Sequence, residues 1–114
     1  MKVKWLLAAS AAVLVMQAPG SAQAFECPNH FAAAQDVIDK VAADMNADIP
    51  WQEALDKALV LNLLDDARML LGGAKYNHEN PQSGYSHARA IAKADSALAY
   101  ATAADLFHRE LLSQ

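Results

Sequence analysis

The last third of the chain permits little except an α-helix. Residues 85–112 contain neither glycine nor proline, and nine of the seventeen residues from 88 to 104 are alanine, the residue with the highest helix propensity. Strand-forming residues are scarce, because Ile91 and Thr102 are the only β-branched residues after position 60. We therefore predict an all-α protein whose third helix covers about residues 84–112.

A first helix is predicted over about residues 29–46. Apolar side chains recur there every three or four residues, which builds one stripe along a helix: Phe31, Ala34, Ile38, Val41 and Met45. Pro28 suits the first turn of this helix, because a first-turn residue has no intrahelical partner for its N–H. We expect the stripe to face the core.

A second helix is predicted over about residues 50–79. One side of its helical wheel collects apolar residues, which we expect to be buried: Leu55, Leu59, Leu63, Leu70 and Ala74. Gly72 and Gly73 cost roughly 1 kcal/mol each relative to alanine, but the charge pattern continues past them, so we expect a continuous helix. It should stop before Pro81, which disfavours helical conformation in the preceding residue.

These three helices should pack as an up-down-up three-helix bundle, because short connections make sequential helices antiparallel. The third helix would turn one stripe inward: His87, Ile91, Ala94, Leu98, Ala101, Asp105 and Leu112. At about 1.5 Å per residue, the second and third helices would each run about 40 Å, and the first only about 25–28 Å. The long antiparallel hairpin of the last two helices should therefore project beyond the first.

The N-terminal segment has the layout of a secretory signal peptide. Lys2 and Lys4 precede an apolar run over residues 5–16, and small residues at Ala22 and Ala24 fit an A-x-A cleavage site. This run is too short for a stable anchor, since a membrane-spanning helix needs about 20 apolar residues. We predict a cleaved signal peptide over residues 1–24 and a single helical domain over residues 25–114, exported to a bacterial periplasm.

Charge and cysteine content narrow the function. Without residues 1–24 the chain carries 7 Lys and Arg against 13 Asp and Glu, a formal charge of −6, which argues against nucleic acid and anionic lipid as partners. The single cysteine, Cys27, cannot form a disulfide within the chain, so in an oxidising compartment it should stay reduced, pair between chains or bind a ligand. There is no C-x-x-C pair, nucleophile elbow or Gly-rich phosphate loop, and we expect no enzymatic activity.

Two histidines flank the turn between the second and third helices. In an antiparallel hairpin that turns near Gln82, His78 and His87 lie at the same end, one on each arm, with Glu79 beside them. Imidazole and carboxylate groups suit a divalent transition-metal ion such as zinc, copper or nickel. The alternative is an ordinary turn, because Asn, Pro, Gly and Ser are typical turn residues and histidine is favourable near a helix C-terminus.

A second candidate metal site combines Cys27, His30 and Asp66. Asp66 shares the predicted core side of the second helix, where an unpaired carboxylate is costly. Counting along antiparallel helices places His30 near the level of Asp66, and Cys27 lies one turn before His30. The alternative is a buried Asp–His hydrogen bond that fixes the register of the helices.

A third group of residues indicates a protein partner. Tyr100, Phe107 and Leu111 should lie on the outer side of the third helix, and an exposed apolar patch often marks an interface. A second copy of the chain or another periplasmic protein would cover this patch. Two functions therefore remain: a small exported non-catalytic module for interaction or self-association, and a periplasmic metal-binding protein that uses the hairpin histidines.

Overall fold

The computed structural model of the protein describes residues 19–46 and 54–114, and within these ranges it contains helices and no strands. The three α-helices are α1 (Pro19–Asn46), α2 (Ala54–Glu79) and α3 (Gly84–Leu112). The all-α prediction is confirmed, together with both ends of α3, the end of α2 and its continuity through the glycine pair. No described helix has the length and apolar character needed to cross a membrane.

The predicted start of the first helix is wrong. α1 begins at Pro19 and runs through Pro28, whereas the sequence pattern placed its start near residue 29. An interior proline loses one backbone hydrogen bond and crowds the carbonyl four residues earlier, at a cost of about 3 kcal/mol. Alanines on both sides favour helix, and helix continues through this weak point. Of the predicted signal peptide, residues 1–18 lie outside the described residues and the last six open α1.

The apolar stripe predicted for α1 is confirmed, but the stripe predicted for α2 is displaced by one residue. Ala34, Ile38, Val41 and Met45 of α1 are buried, and Phe31 packs against the core. In α2 the buried residues are Val60, Leu64, Ala67, Leu71 and Ala74. Of the predicted stripe, Ala74 is confirmed, and Leu63 and Leu70 are half-buried and pack against the core. Leu55 and Leu59, which were predicted to be buried, are 64% and 41% exposed. Leucines occur on most sides of α2, so its apolar period alone does not select the buried face.

Alanine is the main residue on the inner face of α3. Its buried residues are Ser86, Ala90, Ala94, Ala97, Ala101, Ala104, Asp105 and His108. The predicted positions of Ala94, Ala101 and Asp105 are confirmed, but Ile91 and Leu98 are half-buried and Leu112 is exposed. Small side chains let neighbouring helices approach closely, so the larger residues of α3 lie beside this alanine seam rather than on it.

Two polar contacts align α1 with α3. His30 is hydrogen-bonded to Asp95, and Lys40 Nζ donates to Asp105 Oδ1 at 2.8 Å, ten residues further along both helices. Arg109 Nη2 donates to the second Asp105 oxygen at 2.6 Å. Burial would raise the pKa of the Asp105 carboxyl, but the hydrogen bonds and charges of Lys40 and Arg109 outweigh this effect and hold its pKa below the ordinary value.

The prediction that the α2–α3 hairpin projects beyond the first helix is wrong. With 28 residues, α1 is as long as its neighbours, which have 26 and 29. The thiol of Cys27 donates to the backbone carbonyl of His87 with a donor–acceptor distance of 3.7 Å, so α1 already reaches the hairpin end at this residue. The difference comes from the axial register of α1, because Cys27 lies level with His87, whereas the predicted register placed His30 level with Asp66. From Cys27, α1 extends eight residues further towards its start.

Candidate metal centre

A tight turn sets the positions of the two hairpin histidines. The last residue of α2 is Glu79, and Asn80 Nδ2 donates back to the carbonyl of Tyr76 at 3.1 Å. At the start of α3 the Gln82 N–H donates to Ser86 Oγ, also at 3.1 Å. Ser83 occupies the N-cap position, but its side chain makes no capping hydrogen bond. These local bonds fix the end of α2, one residue beyond His78, and the start of α3, three residues before His87.

Cys27, His78 and His87 lie together at this end of the bundle. Each offers one possible ligand atom, and the three atoms lie within 4.8 Å of one another. The two imidazole rings meet edge to face, with centroids 5.3 Å apart and an angle of 69° between their planes. Cys27 has no exposed surface, and both histidines are half-buried. One sulfur and two nitrogens therefore lie within reach of a single ion, at a place where the sulfur is buried and the two rings are half-buried.

Both histidines also carry a buried nitrogen that lacks a partner. Nδ1 of His78 and Nδ1 of His87 are inaccessible to solvent, and neither makes a hydrogen bond within the described part of the chain. An unsatisfied buried polar atom costs about 1–3 kcal/mol, and such atoms in native proteins call for an explanation. Two of them on adjacent rings beside a thiol are the arrangement expected of ligands that a metal ion would satisfy.

The inward side of this cluster is apolar. The ring of Phe31 stands edge-on to His78, with centroids 5.5 Å apart. Ala74, one turn before His78, and Ala90, about one turn after His87, are both fully buried. Burial raises the pKa of the Cys27 thiol, and the nearby charge of Glu26 adds to this increase, while a backbone hydrogen bond opposes it.

The structure brings together residues from the two predicted metal sites. His78 and His87 meet as the hairpin prediction required, but Glu79 is exposed and does not belong to the cluster. Cys27 joins them instead of forming a site with His30 and Asp66. Asp66 precedes His78 by twelve residues on α2, about 18 Å along the helix axis, so Cys27 cannot lie near both.

The remaining members of the predicted sets have other surroundings. His30 is hydrogen-bonded to Asp95 of α3 rather than to Asp66. Of the predicted outer patch, Tyr100 is 42% exposed, whereas Phe107 and Leu111 pack against the core. The meeting of Cys27 with the histidines was missed because counting residues along the first two helices placed His30, one turn from Cys27, level with Asp66. No local pattern in the sequence sets the axial register of α1 against the hairpin.

Comparisons with protein-family models, with curated proteins and with solved structures give no match for this chain. The function is therefore inferred from the residues of this chain. Across the described ranges, Cys27, His78 and His87 form the one group of three or more Cys, His, Asp or Glu side chains that could hold a metal ion.

Proposed function

We propose that this protein is an exported, non-catalytic, up-down-up three-helix bundle that binds one transition-metal ion through Cys27, His78 and His87. The observation that carries the proposal is the convergence of the three ligand atoms within 4.8 Å. Thiolate and imidazole are the ligands that zinc and copper prefer in proteins. The two predicted metal sites thus each contribute residues to one centre.

The topology and the location are parts of the same proposal. The pairs His30–Asp95 and Lys40–Asp105 advance together along α1 and α3, which supports parallel directions for these two helices and the opposite direction for α2. The charged start, the apolar run and the small residues before position 25 support export. Cleavage after Ala24 would leave Pro28 in the first turn of α1, where proline is favoured, and the intact mass of the exported protein would then exclude residues 1–24.

The ligand geometry needs only a small adjustment to hold an ion. Metal–sulfur bonds of about 2.3 Å and metal–nitrogen bonds of about 2.0–2.1 Å place neighbouring donor atoms roughly 3.5–3.8 Å apart. The observed separations of up to 4.8 Å exceed this range by about 1 Å, a distance that small rotations of three side chains can close. Each ligand comes from a different helix, so the ion would join α1, α2 and α3 at one end of the bundle.

Metal binding at this site should be detectable both as a stoichiometry and as a rise in melting temperature. An ion that binds the folded but not the unfolded chain stabilises the fold, by about 2.7 kcal/mol when the free ion exceeds its Kd a hundredfold. We expect purified protein under reducing conditions to bind one Zn²⁺ or Cu⁺ per chain and to melt at a higher temperature when loaded. Calorimetric titration gives the stoichiometry, and circular dichroism gives the melting temperature.

Single substitutions identify the ligands. Cys27→Ser, His78→Ala and His87→Ala should each weaken binding by at least about 100-fold, because an equal share of a site worth about 10–16 kcal/mol is about 3–5 kcal/mol per ligand. The matched control is His30→Ala, which removes a histidine that is hydrogen-bonded to Asp95 outside the cluster. Equal affinity for the wild type and all three ligand variants would exclude this site, as would an equal loss in the His30 variant.

A second candidate function is self-association, favoured by an apolar groove between α2 and α3. Leu63, Ala99, Tyr100 and Ala103 line this open groove of about 200 Å³. Exposed apolar side chains near it, such as Leu59 and Leu106, enlarge the apolar surface on these two helices. Surfaces of this kind are common at protein interfaces.

Sedimentation velocity over a range of concentrations tests this second function. We expect a concentration-dependent dimer that Tyr100→Glu weakens, because the substitution places a charge in the groove. Tyr85→Glu is the matched control, since Tyr85 is more exposed, at 71%, and lies outside the groove. A monomer at all concentrations, or equal effects of the two substitutions, would contradict self-association through this groove.

A further inference from the structure

We propose that the ion held by Cys27, His78 and His87 is Cu(I), bound by one thiolate and two neutral imidazoles in a three-coordinate site. This inference rests on the proposed function and deepens it by assigning the element and its oxidation state. Three observations support it: the number of ligands, the charge that the site can accommodate, and the directions from which the ligands arrive.

The number of ligands favours Cu(I) over zinc. Structural zinc sites take four protein ligands, and catalytic ones take three plus a water molecule. The described cluster contains three, and the carboxylates next to it in sequence, Glu26 and Glu79, are exposed and outside it. Cu(I) is selected by soft sulfur ligands, and it commonly binds to three donors without a bound water.

The net charge of the metal-loaded site also favours Cu(I) over zinc. One thiolate, two neutral imidazoles and Cu⁺ sum to zero, whereas Zn²⁺ with the same ligands leaves one positive charge. Cys27 has no exposed surface, and the Nδ1 atoms of both histidines are buried. Phe31 beside His78 and the buried Ala90 carry no charge, and the nearby carboxylate of Glu26 is exposed to solvent, which screens it. The neutral set is therefore favoured, because a buried uncompensated charge is costly.

The directions of the ligands fit a trigonal arrangement. Cys27, His78 and His87 extend from α1, α2 and α3 respectively, and helices that surround a common axis present their side chains to it from three sides. A trigonal set of one cysteine and two histidines is one that proteins use for copper. Phe31, which packs against His78, and the buried residues Ala74 and Ala90 offer no further metal ligand.

A competition experiment tests the assignment. Purified protein with one equivalent of Cu(I), kept anaerobic with a reductant, is titrated with the chromophoric Cu(I) chelator bicinchoninate and separately challenged with Zn²⁺. We expect the protein to retain one Cu(I) per chain, and an excess of Zn²⁺ of about tenfold to displace less than about a tenth of it, because the thiolate favours the softer ion. The ultraviolet thiolate-to-copper absorption should disappear in Cys27→Ser and persist in His30→Ala.

The outcomes separate this inference from the function on which it rests. Displacement of the copper by stoichiometric Zn²⁺, with binding still lost in the ligand variants, would overturn Cu(I) and leave the metal site standing. Binding of neither ion would overturn both proposals. Retention of Cu(I) by Cys27→Ser with wild-type affinity would exclude the thiolate site, and circular dichroism of the same sample verifies that this variant is folded.

Discussion

Leu64→Ala should lower the free energy of unfolding by about 2–5 kcal/mol, the usual cost of removing a buried leucine side chain and leaving a cavity. Leu64 is 1% exposed and belongs to the core cluster that joins α2 to α1 and α3. A small domain has about 5–15 kcal/mol of stability in total, so this loss is a large fraction of it. Urea denaturation followed by circular dichroism measures the change.

The matched control is Leu59→Ala, the same chemical change on the same helix. Leu59 is 41% exposed, so the substitution should cost less than about 1 kcal/mol. The comparison decides which face of α2 is buried, since the sequence pattern favoured Leu59 and the structure buries Leu64. A larger loss in the Leu59 variant than in the Leu64 variant would show that the structure assigns the wrong face.

Ala97→Leu should destabilise the fold by about 1–3 kcal/mol, because overpacking a close helix contact forces side chains or backbone to move. Ala97 has no exposed surface and lies in the middle of the alanine seam of α3, within the core cluster. For a domain of this size, each 1 kcal/mol corresponds to roughly 4–8 °C in the melting temperature. Thermal unfolding therefore detects the change clearly.

Ala92→Leu is the control for the seam. Ala92 is exposed on the same helix, and leucine has nearly the helix propensity of alanine, so the melting temperature should change by no more than about 2 °C. Equal effects of the two substitutions would mean that α3 does not approach its neighbours through alanine. A stabilising Ala97→Leu would mean that the seam contains unfilled space.

The sequence predicts the helices well because their signals are local. The end of α2 follows from Pro81, and the bounds of α3 follow from its alanine content and from the turn residues before it. The inner stripe of α1 could also be predicted, because its apolar residues occur mainly on one side. In α2 leucines occur as adjacent pairs at 63–64 and 70–71, so the choice of face depends on what α1 and α3 present to it.

The candidate site was predicted only in part, because part of it depends on how the helices pack rather than on local sequence. His78 and His87 are close in sequence and separated by a turn, so local reasoning brought them together. Cys27 is fifty-one residues before His78, and its place depends on the length and register of α1. Counting residues along α1 and α2 in antiparallel register placed His30 level with Asp66, and this register put Cys27 away from the hairpin end.

X-ray absorption spectroscopy of the metal-loaded protein tests the central claim most directly, because it identifies the atoms bound to the ion. For the wild type we predict one sulfur at about 2.2–2.3 Å and two nitrogens at about 2.0 Å, with the sulfur contribution lost in Cys27→Ser. A shell of nitrogen and oxygen alone would contradict the assignment of Cys27. Two sulfurs would contradict a site formed within one chain, because each chain has a single cysteine.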